Sequence, residues 1–376
     1  MAGKRGHRRK KQMESKGCRF GELNGSHLFK ERVPGGYVDY PARRRRDGEV
    51  IYFNFALARE IGLIPSDHPD QLTAALSQEI EETFSFVIIN EYDRLHPGNY
   101  AAEDILPNTY MATRYLQLQH PGTQGATSGD GRSVWVGSIE NEGVTWDVSS
   151  CGTGVTCLCP ATGQEKTFFE SGSATADYGC GTSTEVEGIG AALTSEIFHS
   201  NGIETERVLA VIATKSGQAI NVRAGKNLLR PAHMLMYLRQ GDRARLEAVV
   251  DLFMERQIAN GDWPKEFASR TGTKAERAKR YRYFAERMAT TFARVTATFE
   301  SEYIFCWLEW DGDNILLDGG IIDYGSVRQF GLFHTKYRYD DDDRWSTTIH
   351  EQKLKARYIA IVFITLIIAK IKEIKR

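Results

Sequence analysis

The sequence predicts an α+β protein with a β-rich amino-terminal part and a mainly helical carboxy-terminal part. Short runs between residues 110 and 150 alternate apolar and polar residues and are interrupted by Gly, Thr and Ser, which is typical of strands joined by turns. By contrast, residues 242–260 and 274–303 carry apolar residues at helical spacing over many turns. The expected parts are a basic arm at 1–46, a β-rich part at 47–215 and a helical part at 216–376.

The charge of the chain is balanced overall but uneven along its length. The 376 residues include 48 Lys and Arg and 49 Asp and Glu, yet basic residues dominate residues 1–46, which end in the run Arg43–Arg46. Such a stretch is usually a solvated, disordered tail, and loose contact with nucleic acid is the alternative. No apolar run follows the basic start, as a secretory signal would require.

Neither the cysteines nor the apolar carboxy-terminal segment indicates an extracellular or membrane protein. The 6 Cys include Cys151, Cys157, Cys159 and Cys180, whose spacing lacks the paired C-x-x-C of structural zinc sites. Buried thiols in a reducing compartment are the simpler interpretation. The apolar segment at 358–369 is too short to span a bilayer comfortably, so it predicts a buried helix or strand. We expect a cytoplasmic protein with no membrane contact.

Both helices and strands are expected before residue 224. Apolar residues at helical spacing indicate helices at 52–63 and 69–88, both interpreted as core packing. A third helix is expected at 187–201, where Gly202 is a plausible carboxy-terminal cap. Strands are expected at 115–119, 133–137, 144–148, 208–213 and 219–223.

A glycine-rich turn, Gly129-Asp130-Gly131-Arg132, lies between two of these strands. Glycines let backbone N–H groups approach an anion, and an arginine can pair with phosphate through two hydrogen bonds. An ordinary hairpin turn is the alternative. The chain has neither the G-x-x-x-x-G-K-[ST] motif nor a G-x-G-x-x-G motif between a strand and a helix, which argues against P-loop and Rossmann sites.

The stretch from Ser301 to Phe330 carries the most distinctive pattern of the chain. Two short apolar segments flank Asp318-Gly319-Gly320, which predicts a hairpin. Asp313 and Asn314 would begin its first strand and Asp323 would end its second, so antiparallel pairing would bring these side chains to one end. Oxygen ligands of this kind, completed by water and phosphate, suit a hard divalent cation.

Protein-kinase active sites have the same arrangement, in which an Asp and an Asn of the catalytic loop precede a metal-binding Asp-Phe-Gly. A surface hairpin with acidic turns is the alternative, since Asp, Asn and Gly are ordinary turn formers. A calcium loop counted from Asp311 is disfavoured, because its sixth position is Leu316 and not Gly. A β-rich part followed by a helical part with this hairpin predicts a two-lobed, protein-kinase-like fold with a β-rich N-lobe and a mainly helical C-lobe.

In combination these motifs resemble the selenoprotein O family, pseudokinase-like enzymes that transfer AMP from ATP to Ser, Thr or Tyr hydroxyls of proteins. The resemblance runs from about residue 52 to about residue 349. Gly129–Arg132 is similar to the family's Gly-Asp-Gly-Arg nucleotide loop, and Arg223 and Arg230 are similar to two family arginines that hold phosphates. Asp313-Asn314 and Asp323-Tyr324-Gly325 are similar to its Asp-Asn and Asp-Tyr-Gly motifs.

The resemblance implies a role for each of these residues. Asp313 would be the catalytic base, and Asn314 and Asp323 would bind Mg²⁺ or Mn²⁺. ATP would be bound by a set of loop, strand and arginine residues, namely Gly129, Gly131, Arg132, Cys151, Gly181, Arg223 and Arg230. Attack would occur at the α-phosphate, with the nucleotide flipped relative to ordinary kinases. The implied partners are ATP and proteins that bear Ser, Thr or Tyr hydroxyls.

The chain departs from the family at the phosphate site. A family lysine that contacts phosphate falls at Cys151, and the family's following Asp-Gly falls at Cys180-Gly181. The glutamate expected on the neighbouring helix falls near Ala191, and Glu187 lies one turn earlier. The Lys–Glu ion pair of kinases is therefore not evident.

Two other classes of function stay open. The first is a kinase-like phosphotransferase or a catalytically weak, nucleotide-binding pseudokinase. The second is an interaction protein whose basic arm binds nucleic acid and whose acidic turns are structural, which is the less favoured reading.

Overall fold

The computed structural model describes residues 17–98, 100–117, 125–173, 181–302, 304–305, 312–325, 327–329, 336–339, 342–348, 350–359 and 361. These residues form a mixed α+β structure, which confirms the predicted class. The chain divides into two compact units. The first consists of residues 1–114, 119–193 and 207–226, and the second of residues 115–118, 194–206 and 227–376.

The first unit is built on an antiparallel sheet. Its strands within the described residues are β1 (Tyr37–Arg44), β2 (Gly48–Phe53), β3 (Phe86–Ile88), β4 (Ile105–Thr113), β5 (Ser133–Asn141), β6 (Val144–Cys151), β7 (Ser183–Thr184), β8 (Arg207–Thr214) and β9 (Gln218–Gly225). The strands lie in the order β2-β8-β9-β6-β5-β4-β1-β3, and β7 pairs with β9. The turn between β5 and β6, Glu142-Gly143, has positive φ at both residues, as a type I′ hairpin turn requires.

The helices of the first unit pack in more than one buried core. They are α1 (Leu28–Arg32), α2 (Phe55–Glu60), α3 (Ala74–Phe84), α4 (Glu91–Leu95), α5 (Pro160–Glu165) and the first part of α6 (Glu185–Ser200), which continues into the second unit. Leu57 of α2 and Phe84 of α3 belong to the same buried core as Val148 and Val222 of the sheet. Because side chains alternate along a strand, the neighbours of these valines lie on the opposite face.

Two predicted helices are shorter than expected. The predicted helix at 52–63 begins only after Asn54, because the residues before it belong to β2 and pair with β8. The predicted helix at 69–88 begins after its cap Thr73 and ends at Phe84, because β3 follows and pairs with β1. In both places, pairing with a distant strand overrides the local helical pattern.

The strands also differ from the prediction at two points. The predicted strand at 115–119 is absent from its described part, since residues 115–117 have no regular structure, and β4 supplies the strand instead. The expected boundary after residue 215 falls in the turn between β8 and β9. The sheet therefore extends to Gly225.

Part of the predicted basic arm is folded. Residues 1–16 lie outside the described residues, whereas residues 28–44 contain α1 and β1. Arg45 Nε lies 2.9 Å from Asp47 Oδ1, and Arg46 Nη2 lies 2.6 Å from Asp104 Oδ1. A solvated tail is the wrong interpretation for this part, because the basic run has carboxylate partners and β1 pairs with β3 and β4.

The second unit is mainly helical. Its helices and short strands are α7 (Pro231–Gln240), α8 (Arg243–Ala259), α9 (Lys274–Ser301), β10 (Ile304–Phe305), β11 (Arg328–Gln329), β12 (Lys336–Tyr339) and β13 (Asp342–Thr348). The predicted helices at 242–260 and 274–303 are confirmed as α8 and α9. A capping box formed by Thr273 and Glu276 begins α9, whose buried stripe includes Phe284, Phe292 and Phe299.

A buried ion pair joins α8 to α9. The side chains of Arg280 and Asp251 are only 4% and 10% exposed, and Arg280 Nη1 donates to Asp251 Oδ1. Arg280 Nε also donates to the Phe267 carbonyl oxygen at 2.9 Å, and the Tyr281 hydroxyl donates to Asp251 Oδ1 at 3.2 Å. A buried charge is costly unless it is paired, so this contact fixes how the two helices meet.

In the part of the chain that the structure describes, no helix has the length and apolar character needed to cross a membrane. Most of the apolar segment at 358–369 lies outside the described residues. Residues 350–359 are helical, with Ile359 buried and Tyr358 exposed.

Candidate functional site

The glycine-rich loop at 129–132 is held in place by its own aspartate. Asp130 is buried, and its Oδ2 accepts hydrogen bonds from the Thr113 N–H at 2.9 Å, the Thr113 hydroxyl at 2.7 Å and the Trp135 indole N–H at 3.1 Å. On the other side of the loop, the Thr156 hydroxyl donates to the Asp130 carbonyl oxygen at 2.6 Å. These bonds fix the loop, so that Arg132 is held directly before the start of β5.

The predicted nucleotide-binding glycines lie where backbone segments approach closely. A Cβ at Gly129 would lie 2.1 Å from a carbonyl oxygen of β4, and a Cβ at Gly181 would lie 2.2 Å from the Val155 nitrogen. The Gly131 carbonyl oxygen accepts a hydrogen bond from the Thr156 N–H at 3.0 Å. Close packing is therefore a sufficient reason for glycine at 129 and 181, whether or not a nucleotide binds.

One face of the sheet carries a cluster of polar side chains. Cys151 of β6 is directly opposite Ser133 of β5 and Asn221 of β9, and Ser149 is opposite Arg223. Directly paired residues point to the same side of a sheet, so these side chains share one face. All except the half-buried Arg223 are buried, and Arg223 Nη2 donates to Ser133 Oγ at 3.2 Å. The structure thus brings two predicted site residues, Cys151 and Arg223, onto adjacent positions of one face.

Cys151 is a free, buried thiol at the end of β6. Cys180, which falls at the position of the family's Asp-Gly, lies outside the described residues. Within the described ranges, no group of three or more His, Cys, Asp or Glu side chains is placed to hold a metal ion. The described cysteines, which are Cys18, Cys151, Cys157 and Cys159, are all free thiols.

Arg132 forms an ion pair with a helical glutamate, which the sequence analysis did not identify. Arg132 Nη2 lies 2.6 Å from Glu187 Oε1, and Arg132 Nη1 donates to Glu187 Oε2 at 3.0 Å. Glu187 is in the first turn of α6. The prediction sought a lysine at position 151 and a glutamate near Ala191. It therefore missed a pair made by a guanidinium from the loop before the neighbouring strand β5 and a carboxylate one helical turn earlier.

The surroundings of Glu187 favour its ionised form. Partial burial of the Glu187 carboxyl group works to raise its pKa, but the charge and hydrogen bonds of Arg132, with Ser183 and Arg223, lower the pKa below the ordinary value. The carboxylate therefore stays charged at neutral pH. The ion pair would be lost only as the pH falls through this depressed pKa.

The second unit contains the predicted hairpin. Ile315 and Ile321 form an antiparallel bridge, and the Leu316 N–H donates to the Gly320 carbonyl oxygen at 2.7 Å. The residues just before Ile315 and just after Ile321 therefore leave the hairpin at the same end. Asp313 and Asn314 precede the first of these positions and Asp323 follows the second, so the backbone brings the three predicted residues together at that end.

Arg230 lies beside this end of the hairpin. Its Nη1 donates to the Asp313 carbonyl oxygen at 2.6 Å, and its guanidinium carbon lies 4.6 Å from the centre of the Tyr115 ring. Arg230 directly precedes α7, and its N–H donates to His233 Nδ1 at 3.0 Å. The predicted phosphate arginine of the second unit is thus held next to the predicted catalytic aspartate.

The residues at the hairpin end fit Mg²⁺ or Mn²⁺. Asn314 and Asp323 are half-buried and offer only amide and carboxylate oxygens, which suit a hard cation. Two protein ligands are also typical of Mg²⁺, which usually keeps several waters and binds substrate phosphates. Asp323 Oδ1 accepts a hydrogen bond from the Gly325 N–H at 2.9 Å, which orients the carboxylate.

Tyr324 anchors the Asp-Tyr-Gly segment. Its hydroxyl lies 2.6 Å from Thr205 Oγ1 and donates to the Glu206 carbonyl oxygen at 2.9 Å. Its ring meets Phe198 edge to face, with centres 6.0 Å apart. Because Tyr324 directly follows Asp323, these contacts limit how far the predicted metal ligand can move.

We expect Tyr324→Phe to lower the free energy of unfolding by about 1–2 kcal/mol, because the hydrogen bonds of its hydroxyl to Thr205 and Glu206 are lost. Chemical denaturation measures this change. Tyr358→Phe is the matched control, since Tyr358 is 64% exposed and should tolerate the change. Equal effects of the two variants would contradict the anchoring role of the Tyr324 hydroxyl.

No protein-family model matches the chain, and no curated protein sequence matches it. The resemblance to the selenoprotein O family therefore rests on the sequence motifs alone.

Proposed function

We propose that the protein is an ATP- and Mg²⁺-dependent protein adenylyltransferase, which transfers AMP from ATP to Ser, Thr or Tyr hydroxyls of other proteins. The observation that carries the proposal is the hairpin end that gathers Asp313, Asn314 and Asp323 beside Arg230. A base, two oxygen ligands and a phosphate-binding cation are the parts that nucleotidyl transfer needs.

The order of elements in the first unit supports a kinase-like fold. Three consecutive strands, β4, β5 and β6, are followed by α5, β7 and α6 and then by β8 and β9. Kinases carry a phosphate-binding lysine on the third strand of their small lobe and its glutamate partner on the helix that follows. Here the third of these strands ends at Cys151, and α6, which comes after α5 and β7, carries Glu187 one turn before the position near Ala191 that the resemblance indicates.

The proposed roles follow from the chemistry of the side chains. Asp313 orients the target hydroxyl and accepts its proton as the hydroxyl oxygen attacks the α-phosphorus. The bond from this phosphorus to the bridging oxygen breaks, and pyrophosphate leaves. Arg132, Arg223 and Arg230 offset phosphate charge, and bound Mg²⁺ or Mn²⁺ on Asn314 and Asp323 would supply further neutralisation.

The test uses ATP labelled separately at the α- and γ-phosphates. The purified chain is incubated with Mg²⁺ and each label, and the label on protein is measured. We expect transfer from the α-position alone, and none with Asp323→Ala. Asp318→Asn is the matched control, because Asp318 caps the turn of the same hairpin by accepting from the Gly320 N–H at 3.0 Å, a bond that Asn keeps. Transfer from the γ-position alone would overturn the proposal in favour of a kinase.

The thiol at Cys151 favours a second candidate, a nucleotide-binding pseudokinase with little turnover. A thiol cannot supply the cation that kinases place on this strand. Mg²⁺-dependent ATP binding without label on any protein would support this candidate.

A further inference from the structure

The Arg132–Glu187 pair has the geometry of a positioning contact. Both guanidinium terminal nitrogens face the two carboxylate oxygens, at 2.6 and 3.0 Å. Such a two-bond contact fixes the plane of the guanidinium as well as its place. Arg132 Nη1 also donates to the Thr182 carbonyl oxygen at 3.2 Å, so the arginine is oriented by the segment that leads into α6.

Arg132 stands next to the strand position where the cation is missing. Ser133 is directly opposite Cys151, and the Gly152 N–H donates to the Arg132 carbonyl oxygen at 2.8 Å. Arg132 therefore lies in the loop directly before β5 and flanks the end of β6. Its guanidinium reaches Glu187 in the first turn of α6, one turn before the position near Ala191 where the resemblance indicates the glutamate partner of the kinase lysine.

The local charge is suited to phosphate. Glu187 interacts electrostatically with both Arg132 and Arg223, so two guanidinium groups accompany one carboxylate. The trio keeps a net positive charge when Glu187 is ionised. A carboxylate between two arginines can therefore order them without cancelling their attraction for an anion.

We infer that Glu187 is a positioning residue, which holds Arg132 for the phosphates of the nucleotide and so replaces the Lys–Glu pair of kinases by an Arg–Glu pair whose arginine comes from the loop before β5. This role rests on the proposed function. Glu187 acts through Arg132 and does not itself contact the nucleotide.

A double-mutant cycle tests this role, with the full chain, Mg²⁺ and ATP. The affinity for ATP is measured by calorimetry for the wild type, Glu187→Gln, Arg132→Ala and the double variant. We expect Glu187→Gln to weaken binding on the order of tenfold, as losses of orienting partners do, and Arg132→Ala to weaken it more. In the Arg132→Ala background, Glu187→Gln should have no further effect on ATP affinity, because the guanidinium that Glu187 orients is absent. Glu185→Gln, in the same helical turn, is the control and should bind ATP as the wild type does.

The outcomes distinguish a failure of the positioning role alone from a failure of the proposed function. Equal losses from Glu187→Gln in both backgrounds would overturn the positioning role and leave the proposed function standing. Tighter ATP binding by Glu187→Gln would also overturn it, since Glu187 would then compete with phosphate for Arg132. Failure of the wild type to bind ATP would overturn the proposed function, and the positioning role with it. Thermal unfolding of every variant checks that the loss of binding is not a loss of fold.

Discussion

Asp313→Asn is expected to slow AMP transfer by about 10²–10⁴-fold while ATP affinity stays nearly unchanged. The change removes the proton acceptor but keeps the size of a side chain that is only 5% exposed. The contact of Arg230 with this residue goes to the backbone carbonyl, so the arginine should keep its place. Single-turnover rates with α-labelled ATP measure the chemical step, and calorimetry measures binding.

Asp323→Asn tests the proposed metal ligand and is compared with Asp313→Asn, which tests the proposed base. A metal ligand, in contrast to a base, should affect binding, so ATP affinity should cease to rise with Mg²⁺ concentration. If Asp313→Asn and Asp323→Asn instead weakened ATP binding equally, the separate assignment of base and ligand would be wrong. Asp318→Asn serves again as the control from the same hairpin.

Asp251→Ala is expected to lower the free energy of unfolding by about 3–5 kcal/mol, because it leaves the Arg280 guanidinium buried without its partner. Among the described residues, Arg280 keeps the neutral Phe267 carbonyl oxygen as a hydrogen-bond acceptor. Urea denaturation followed by circular dichroism measures the change. Replacing both residues by apolar ones, as in Asp251→Leu with Arg280→Met, should recover most of the loss.

A surface pair next to this one provides the control. Lys279 and Glu266 lie 3.1 Å apart, but their side chains are 69% and 60% exposed. Glu266→Gln should change the stability little, because solvent screens such pairs. If Asp251→Ala cost no more than Glu266→Gln, the buried pair would not be what holds α8 to α9.

The helical half of the fold was predictable from local signals. Both α8 and α9 begin directly after a capping side chain, Asp242 or Thr273, and both carry a periodic apolar pattern over several turns. The β-rich half was less predictable, because β2 and β3 are defined by partners far along the chain. The run Arg43–Arg46 was also hard to predict. Its charge alone indicated a disordered tail, whereas ion pairs with Asp47 and Asp104 make the run part of the fold.

The two parts of the candidate site also differ in whether local sequence predicts them. The hairpin at 313–323 depends on a turn and two short apolar segments, all within one stretch, and its antiparallel bridge is confirmed. The Arg132–Glu187 pair joins two distant segments, and neither residue type stands at the position that the resemblance indicated. A search for any cation able to reach the first turn of α6, rather than for a lysine at one position, would have found it.

The strand order has a consequence for how the protein is made. β2 lies at one edge of the sheet, where Gly48 pairs with Thr214 of β8, while β1, which precedes β2 in the chain, lies near the other edge between β4 and β3. On the ribosome, β2 must therefore wait for β8, which at about 5–20 residues per second is a delay on the order of ten seconds. Pairings between such distant segments also carry a high entropic cost and fold slowly. During that interval β2 is an unpaired strand that chaperones, or a second nascent chain, can bind.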